Sequence, residues 1–79
     1  MGTKNNPGTF DCYANAKPDE PMFVLLARDY DAPRVVREWA AHREALDGLT
    51  DKVREARECA RSMEAWHDMR EQLHEAGDL

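Results

Sequence analysis

Apolar residues recur three and four positions apart along two long stretches of this chain. This spacing predicts two amphipathic α-helices, at about residues 32–46 and 51–75, with one apolar face each. Trp39 and Trp66 lie on these faces, so we expect both to be largely buried. The apolar faces comprise Ala32, Val35, Val36, Trp39, Ala40 and Leu46 in the first helix, and Val53, Ala56, Cys59, Ala60, Met63, Trp66, Arg70 and Leu73 in the second.

Start and stop signals frame both helices. Asp31 followed by Pro33 is typical of a helix N-terminus, and Gly48 supplies the positive φ that often ends a helix. Thr50 is placed to cap the second helix. The short connection between them predicts a long antiparallel helical hairpin.

A third, shorter apolar run, residues 22–27, follows Asp19 and Pro21, which are typical of a capped helix start. We therefore expect a short hydrophobic helix at about residues 20–28. Because it is apolar on every side, and the chain is too small to cover all of it, a homo-oligomer, dimer or higher, should complete the core.

Glycine, asparagine and proline dominate residues 1–18, which predicts an irregular, mobile N-terminal segment. Phe10 or Tyr13 could anchor a short extended piece of it on the helices. The expected organisation is this segment followed by one helical domain, residues 19–79, in an all-α fold.

Composition and charge limit the classes of function that the chain could have. The 79 residues are 42% hydrophobic and 34% charged, with a net charge of −5. Acidic residues are mixed with arginines, so neither a DNA-binding surface nor a DNA-mimicking acidic face is indicated, and nucleic acid is not an expected partner. The longest apolar run is too short to span a bilayer, and the two cysteines suit reduced thiols in a cytoplasm.

The residues that could carry chemistry do not converge in sequence. His67 and His74 are two helical turns apart, and Cys59 lies eight residues before His67, so no metal site is expected. Neither cysteine has an indicated base, and no catalytic residue or cofactor is predicted.

The corner between the short helix and the hairpin is the best candidate for a binding site. It contains Arg28, Arg34 and Arg37, which suit phosphate or carboxylate, and Tyr30, which could stack on a base. The alternative is that these arginines pair with neighbouring aspartates and only stabilise the corner.

One set of positions spans roughly residues 10–67: Asp11-Cys12-Tyr13, Ala16, Pro18 to Phe23, Leu25 to Asp29, Ala32-Pro33, Val36-Arg37, Trp39-Ala40, Cys59-Ala60, Met63 and Trp66. In these positions the chain resembles a family of small, uncharacterised proteins encoded by phages, prophages and their bacterial hosts. The family has no assigned activity. The resemblance implies an accessory protein of a mobile genetic element, of the kind that often binds and disables a host factor.

Together these features favour a non-enzymatic protein that blocks or sequesters a host factor by protein–protein contact, plausibly as a counter-defence inhibitor. The alternative is an oligomeric sponge for a small nucleotide immune signal, and a small enzyme ranks third. An exposed apolar patch would favour the first, and convergent arginines beside an aromatic ring would favour the second.

Overall fold

The computed structural model describes the backbone of residues 1–77 and the side chains of residues 1–70. Its helices are α1, Cys12–Asn15, α2, Ala32–Asp47, and α3, Asp51–Gly77, and these described residues contain no strand. The α2 and α3 helices pack against each other. The prediction of an all-α chain with two long packed helices is confirmed; the side chains of Leu73 and His74 lie outside the described residues.

The connection between α2 and α3 contains the predicted glycine that ends α2 and the predicted threonine that caps α3. Gly48 has φ of 85°, and its N–H donates to the carbonyl of Glu44 at 2.8 Å. Thr50 Oγ1 accepts from the N–H of Val53 at 3.2 Å and so caps α3. Asp31 stands at the N-cap position of α2, but its carboxylate makes no capping hydrogen bond.

Two ion pairs join the helices and show their relative direction. Arg37 near the start of α2 pairs with Glu64 far along α3, and Glu44 near the end of α2 pairs with Arg57 near the start of α3. The contacts therefore run in opposite directions along the two helices: the start of α2 meets a later part of α3, and the end of α2 meets an earlier part of α3.

Small residues form the core between these helices. Ala40, Val53 and Ala56 make a buried cluster, with Met1 and Val36 packed against it. Val53 is the largest fully buried side chain among the described residues. Alanine lets two helix backbones approach closely, so α2 and α3 meet over a thin layer of side chains.

The expectation that Trp39 and Trp66 are largely buried is wrong. They remain 39% and 41% exposed. Ala40, Val53 and Ala56 fill the buried centre of the interface, and neither tryptophan belongs to this cluster. Lys52 lies 5.8 Å from the Trp39 ring and Arg70 lies 5.0 Å from the Trp66 ring, each over the ring face.

The predicted short hydrophobic helix at residues 20–28 does not form. Residues 20–26 run without helix, turn or bend, between a turn closed by Glu20 N–H on Lys17 O and one closed by Asp29 N–H on Leu26 O. Nucleating a helix is costly, and nine residues with Phe23 and Val24 among them repay little of that cost without a packing partner.

The N-terminal segment also differs from the expectation of a short extended piece. Asp11 Oδ1 accepts from the N–H of Ala14 at 3.1 Å and caps the single turn of α1. Phe10 is half-buried, whereas Tyr13 is 80% exposed, so Phe10 rather than Tyr13 lies against the helices. Within the described part of the chain, no helix combines the length and apolarity needed to cross a bilayer.

Candidate functional site

An open groove of about 820 Å³ lies beside the first turns of α2 and the middle of α3. It brings together three of the four residues predicted for a binding site, namely Tyr30, Arg34 and Arg37. Arg28 lies elsewhere, in a second groove with Met63 and Trp66. The first groove is lined by Tyr30, Asp31, Pro33, Arg34, Arg37, Glu38, Ala41, Glu64, His67 and Asp68.

Arg37 is held by a carboxylate across the helix interface. Its two terminal nitrogens donate to the two oxygens of Glu64, both at 2.6 Å. This bidentate hydrogen bond raises the pKa of Arg37 and lowers the pKa of Glu64. The guanidinium therefore already has the planar partner that a phosphate or carboxylate ligand would supply.

Arg34 is paired as well, along its own helix. It donates to Glu38 Oε1 at 3.0 Å and lies 3.9 Å from Asp31. With Glu64 and Asp68, the groove has four carboxylates against two guanidinium groups. That excess of negative charge disfavours a phosphate ligand and is compatible with a basic one.

An aromatic edge completes this groove, and the sequence did not reveal it. The rings of Tyr30 and His67 meet edge to face at 5.6 Å, and those of Trp66 and His67 at 5.7 Å. The Nε2 atom of His67 is buried without a hydrogen-bond partner among the described residues. His67 is three positions from Glu64 and therefore lies on the same face of α3. That spacing is the sequence signal that could have placed His67 in this groove.

A different surface is markedly apolar. Met22, Phe23, Val24 and Leu26 are all exposed, Phe23 by 86% and Val24 by 64%. We call residues 21–26 the apolar segment. A cleft of about 350 Å³ separates its first part from α1, with Tyr13 on the opposite wall.

Most of the backbone of the apolar segment also lacks hydrogen-bond partners among the described residues. No N–H or C=O of residues 21–25 is hydrogen-bonded to another described group. Leu25 is only partly covered, and it lines the groove that also contains Met63 and Trp66. The most apolar stretch of the chain thus contributes little to the core.

Glu55 of α3 attaches the N-terminal segment to the helices. Its carboxylate accepts from the N–H groups of Thr9 at 2.8 Å and Phe10 at 3.0 Å, and lies 3.4 Å from the amino group of Met1. Burial alone would raise the pKa of Glu55, but these donors outweigh it, so the pKa lies below its ordinary value. We call this arrangement the Glu55 clip.

Groups that could bind a metal ion do not assemble in the described structure. Among these residues, no three of the histidine, cysteine, aspartate and glutamate side chains are placed to hold a metal ion. Cys12 is an exposed free thiol, and Cys59 is a partly buried one.

Comparison with known proteins adds no relative. Neither a protein-family model, nor a curated protein, nor a solved structure matches this chain.

Proposed function

We propose that this protein is a non-enzymatic, phage-type accessory protein of the host cell cytoplasm, which blocks or sequesters a host factor by protein–protein contact. The observation that supports this proposal is the apolar segment, in which the large apolar side chains of Met22, Phe23, Val24 and Leu26 are exposed to solvent. Contiguous exposed apolar surface on a small protein is typical of an interaction site.

The proposed protein acts as a homo-oligomer, dimer or higher. A short helix that is apolar on every side needs a cover that a chain of this size does not supply. Although the segment is not helical, its side chains are exposed, so the same need for a cover supports association.

The alternative function is a sponge for a small nucleotide signal, and the groove at Tyr30 is what favours it. Tyr30 could stack on a base, and Arg34 and Arg37 lie in the same groove. Binding a phosphate there would require displacing Glu38 and Glu64 from the two arginines. That cost, together with the acidic lining, places the sponge second.

Affinity capture from a bacterial host lysate tests the proposal. We expect the wild-type chain to retain a specific protein, and Phe23→Ser to lose it, because that change removes the most exposed side chain of the apolar segment. Leu46→Ser is the matched control, since Leu46 is 62% exposed on α2 and outside the segment.

A thermal-shift screen with cyclic and linear nucleotides tests the alternative. Under the proposed function, no nucleotide should raise the melting temperature. A rise of several degrees that is lost in Arg34→Gln, with no captured protein, would replace the protein-contact proposal with the sponge.

A further inference from the structure

The groove that contains Arg28 differs in charge from the groove at Tyr30. It has a volume of about 530 Å³ and lies where the N-terminal residues, the end of the apolar segment and one face of α3 meet. Three cationic side chains line it, those of Lys4, Arg28 and Arg70, and among the described residues no carboxylate does. We call it the basic groove.

The two arginines of the basic groove are the ones that the described structure leaves without a carboxylate partner. Each of the other arginines in the chain pairs with an aspartate or a glutamate. With 16 acidic residues against 11 basic ones, a shortage of carboxylates does not explain the difference. The basic groove thus keeps a positive potential within an acidic protein, and that potential attracts an anion.

Trp66 orients one of these cations. The guanidinium carbon of Arg70 lies 5.0 Å from the centre of the Trp66 ring. A guanidinium held over an aromatic ring keeps N–H donors free for a carboxylate or a phosphate. Because Arg70 is already held in this way, less side-chain freedom is lost when an anion binds to it.

The rest of the lining is mainly apolar. Leu25 and Met63 are partly buried there, and Trp66 is 41% exposed. Thr3 and Ser62 add two hydroxyl groups. A mostly apolar concavity of about 300–1,000 Å³ with a few charged or polar groups is typical of a site for a small molecule.

We propose that the basic groove binds a small amphipathic anion, which is a free organic carboxylate or phosphate with a hydrocarbon body. The anionic group binds Arg28 and Arg70, and the body packs against Leu25 and Met63. This site is additional to the protein contact of the proposed function and does not depend on it.

Two other anionic partners fit the basic groove less well. A nucleotide would place the hydrogen-bonding groups of its base against apolar side chains, which cannot pair with them. An anionic bilayer faces the whole chain, whose net charge of −5 is repulsive. A small anion instead responds mainly to charges within about 10 Å, which here are cationic.

Fluorescence titration of the full-length chain with anilinonaphthalene sulfonate, an aromatic anion that brightens when it leaves water, tests the site. We expect saturable binding, and Arg28→Gln and Arg70→Gln should each weaken it about fivefold by removing a charge-assisted contact. Arg54→Gln is the matched control, because it changes the net charge equally but Arg54 pairs with Asp51 outside the groove. Both groove arginines are exposed, so circular dichroism should show unchanged helices in all three variants.

Competition for the bound dye identifies the class of ligand. Decanoate or decyl phosphate, below the concentration at which either forms micelles, should displace the dye. Decyltrimethylammonium has a tail of the same length and the opposite charge, so it should not. Adenosine monophosphate should require a far higher concentration than the better of the two decyl anions.

Four results would overturn the proposal. Dye binding that is lost in Phe23→Ser and kept in Arg28→Gln would place the dye on the apolar segment. Equal displacement by the decyl anions and decyltrimethylammonium would remove the need for an anion, and stronger displacement by adenosine monophosphate would remove the hydrocarbon body. Sedimentation with phosphatidylglycerol vesicles that is lost in Arg28→Gln would replace the free anion with a bilayer.

The proposed function fails or stands separately. Protein capture depends on Phe23 and should be unchanged in Arg28→Gln, whereas dye binding should be weakened in Arg28→Gln and unchanged in Phe23→Ser. Loss of both activities in both variants would mean that the two surfaces are one site, which overturns a separate anion site.

Discussion

The α2–α3 pair and the apolar segment show opposite relations between composition and burial. The pair is charged, with a buried centre of alanines and one valine, whereas the segment is the most apolar stretch of the chain and stays exposed. Burial follows from what an element packs against rather than from how apolar it is. An apolar segment without a packing partner therefore stays exposed to solvent.

The largest contrast is expected from the same substitution in the two regions. Val53→Asp places a carboxylate at a site that is 1% exposed, while Val24→Asp places one at a site that is 64% exposed. An unpaired buried charge costs more than the roughly 3–5 kcal/mol that so small a core supplies, so the Val53 variant should unfold. Circular dichroism should show that the Val24 variant keeps its helices; similar losses would contradict the contrast.

The tryptophans should give an intermediate effect. Because Trp39 and Trp66 are 39% and 41% exposed, replacing either by alanine should cost about 1–2 kcal/mol rather than the 3–5 expected for a buried indole. Urea denaturation followed by circular dichroism measures this. A loss of the full buried value in either variant would mean that the ring is covered in solution, for example by a second copy.

The Glu55 clip should give a smaller and local effect. Glu55→Gln should cost about 1 kcal/mol, because the charge-assisted bonds to Thr9 and Phe10 are weakened. Amide hydrogen exchange should show lost protection at Thr9 and Phe10. Glu58→Gln is the control, since Glu58 only approaches Arg61, at 3.7 Å on the surface.

The clip should also respond to pH. The pKa of Glu55 is lower in the folded chain than the ordinary value for a glutamate, about 4.3. The stabilisation that the ionised carboxylate gives to the fold is therefore complete above that ordinary value. The contribution is lost as the pH falls through the lowered pKa. The protection factors of Thr9 and Phe10, which compare the measured exchange with the intrinsic rate at the same pH, should therefore fall in acid in the wild type, while Glu55→Gln should show little further change.

The Arg37–Glu64 pair should have the smallest effect on stability. Both side chains are about half exposed to solvent, so screening by water and salt reduces the value of their hydrogen bonds. Glu64→Gln should leave the melting temperature nearly unchanged and release Arg37 for an anion. If the sponge alternative holds, this variant should bind nucleotides more tightly, which a thermal-shift titration would detect.

The local features of the fold could be predicted from the sequence because their causes are local. Apolar spacing placed α2 and α3, and Gly48 and Thr50 marked their ends, since backbone conformation and capping involve residues a few positions apart. For the candidate site, proximity in sequence sufficed to group Tyr30, Arg34 and Arg37 on one side of the chain.

Tertiary contacts decided the rest. How close α2 and α3 approach determines that the alanines are buried and that both tryptophans lie at the margin, and periodicity carries no information on that distance. Packing likewise decided that Arg37 meets Glu64, that Glu55 holds residues 9 and 10, and that residues 20–26 lack the neighbour a helix there would need. Each of these depends on groups far apart in the chain, whose meeting is a property of the folded structure alone.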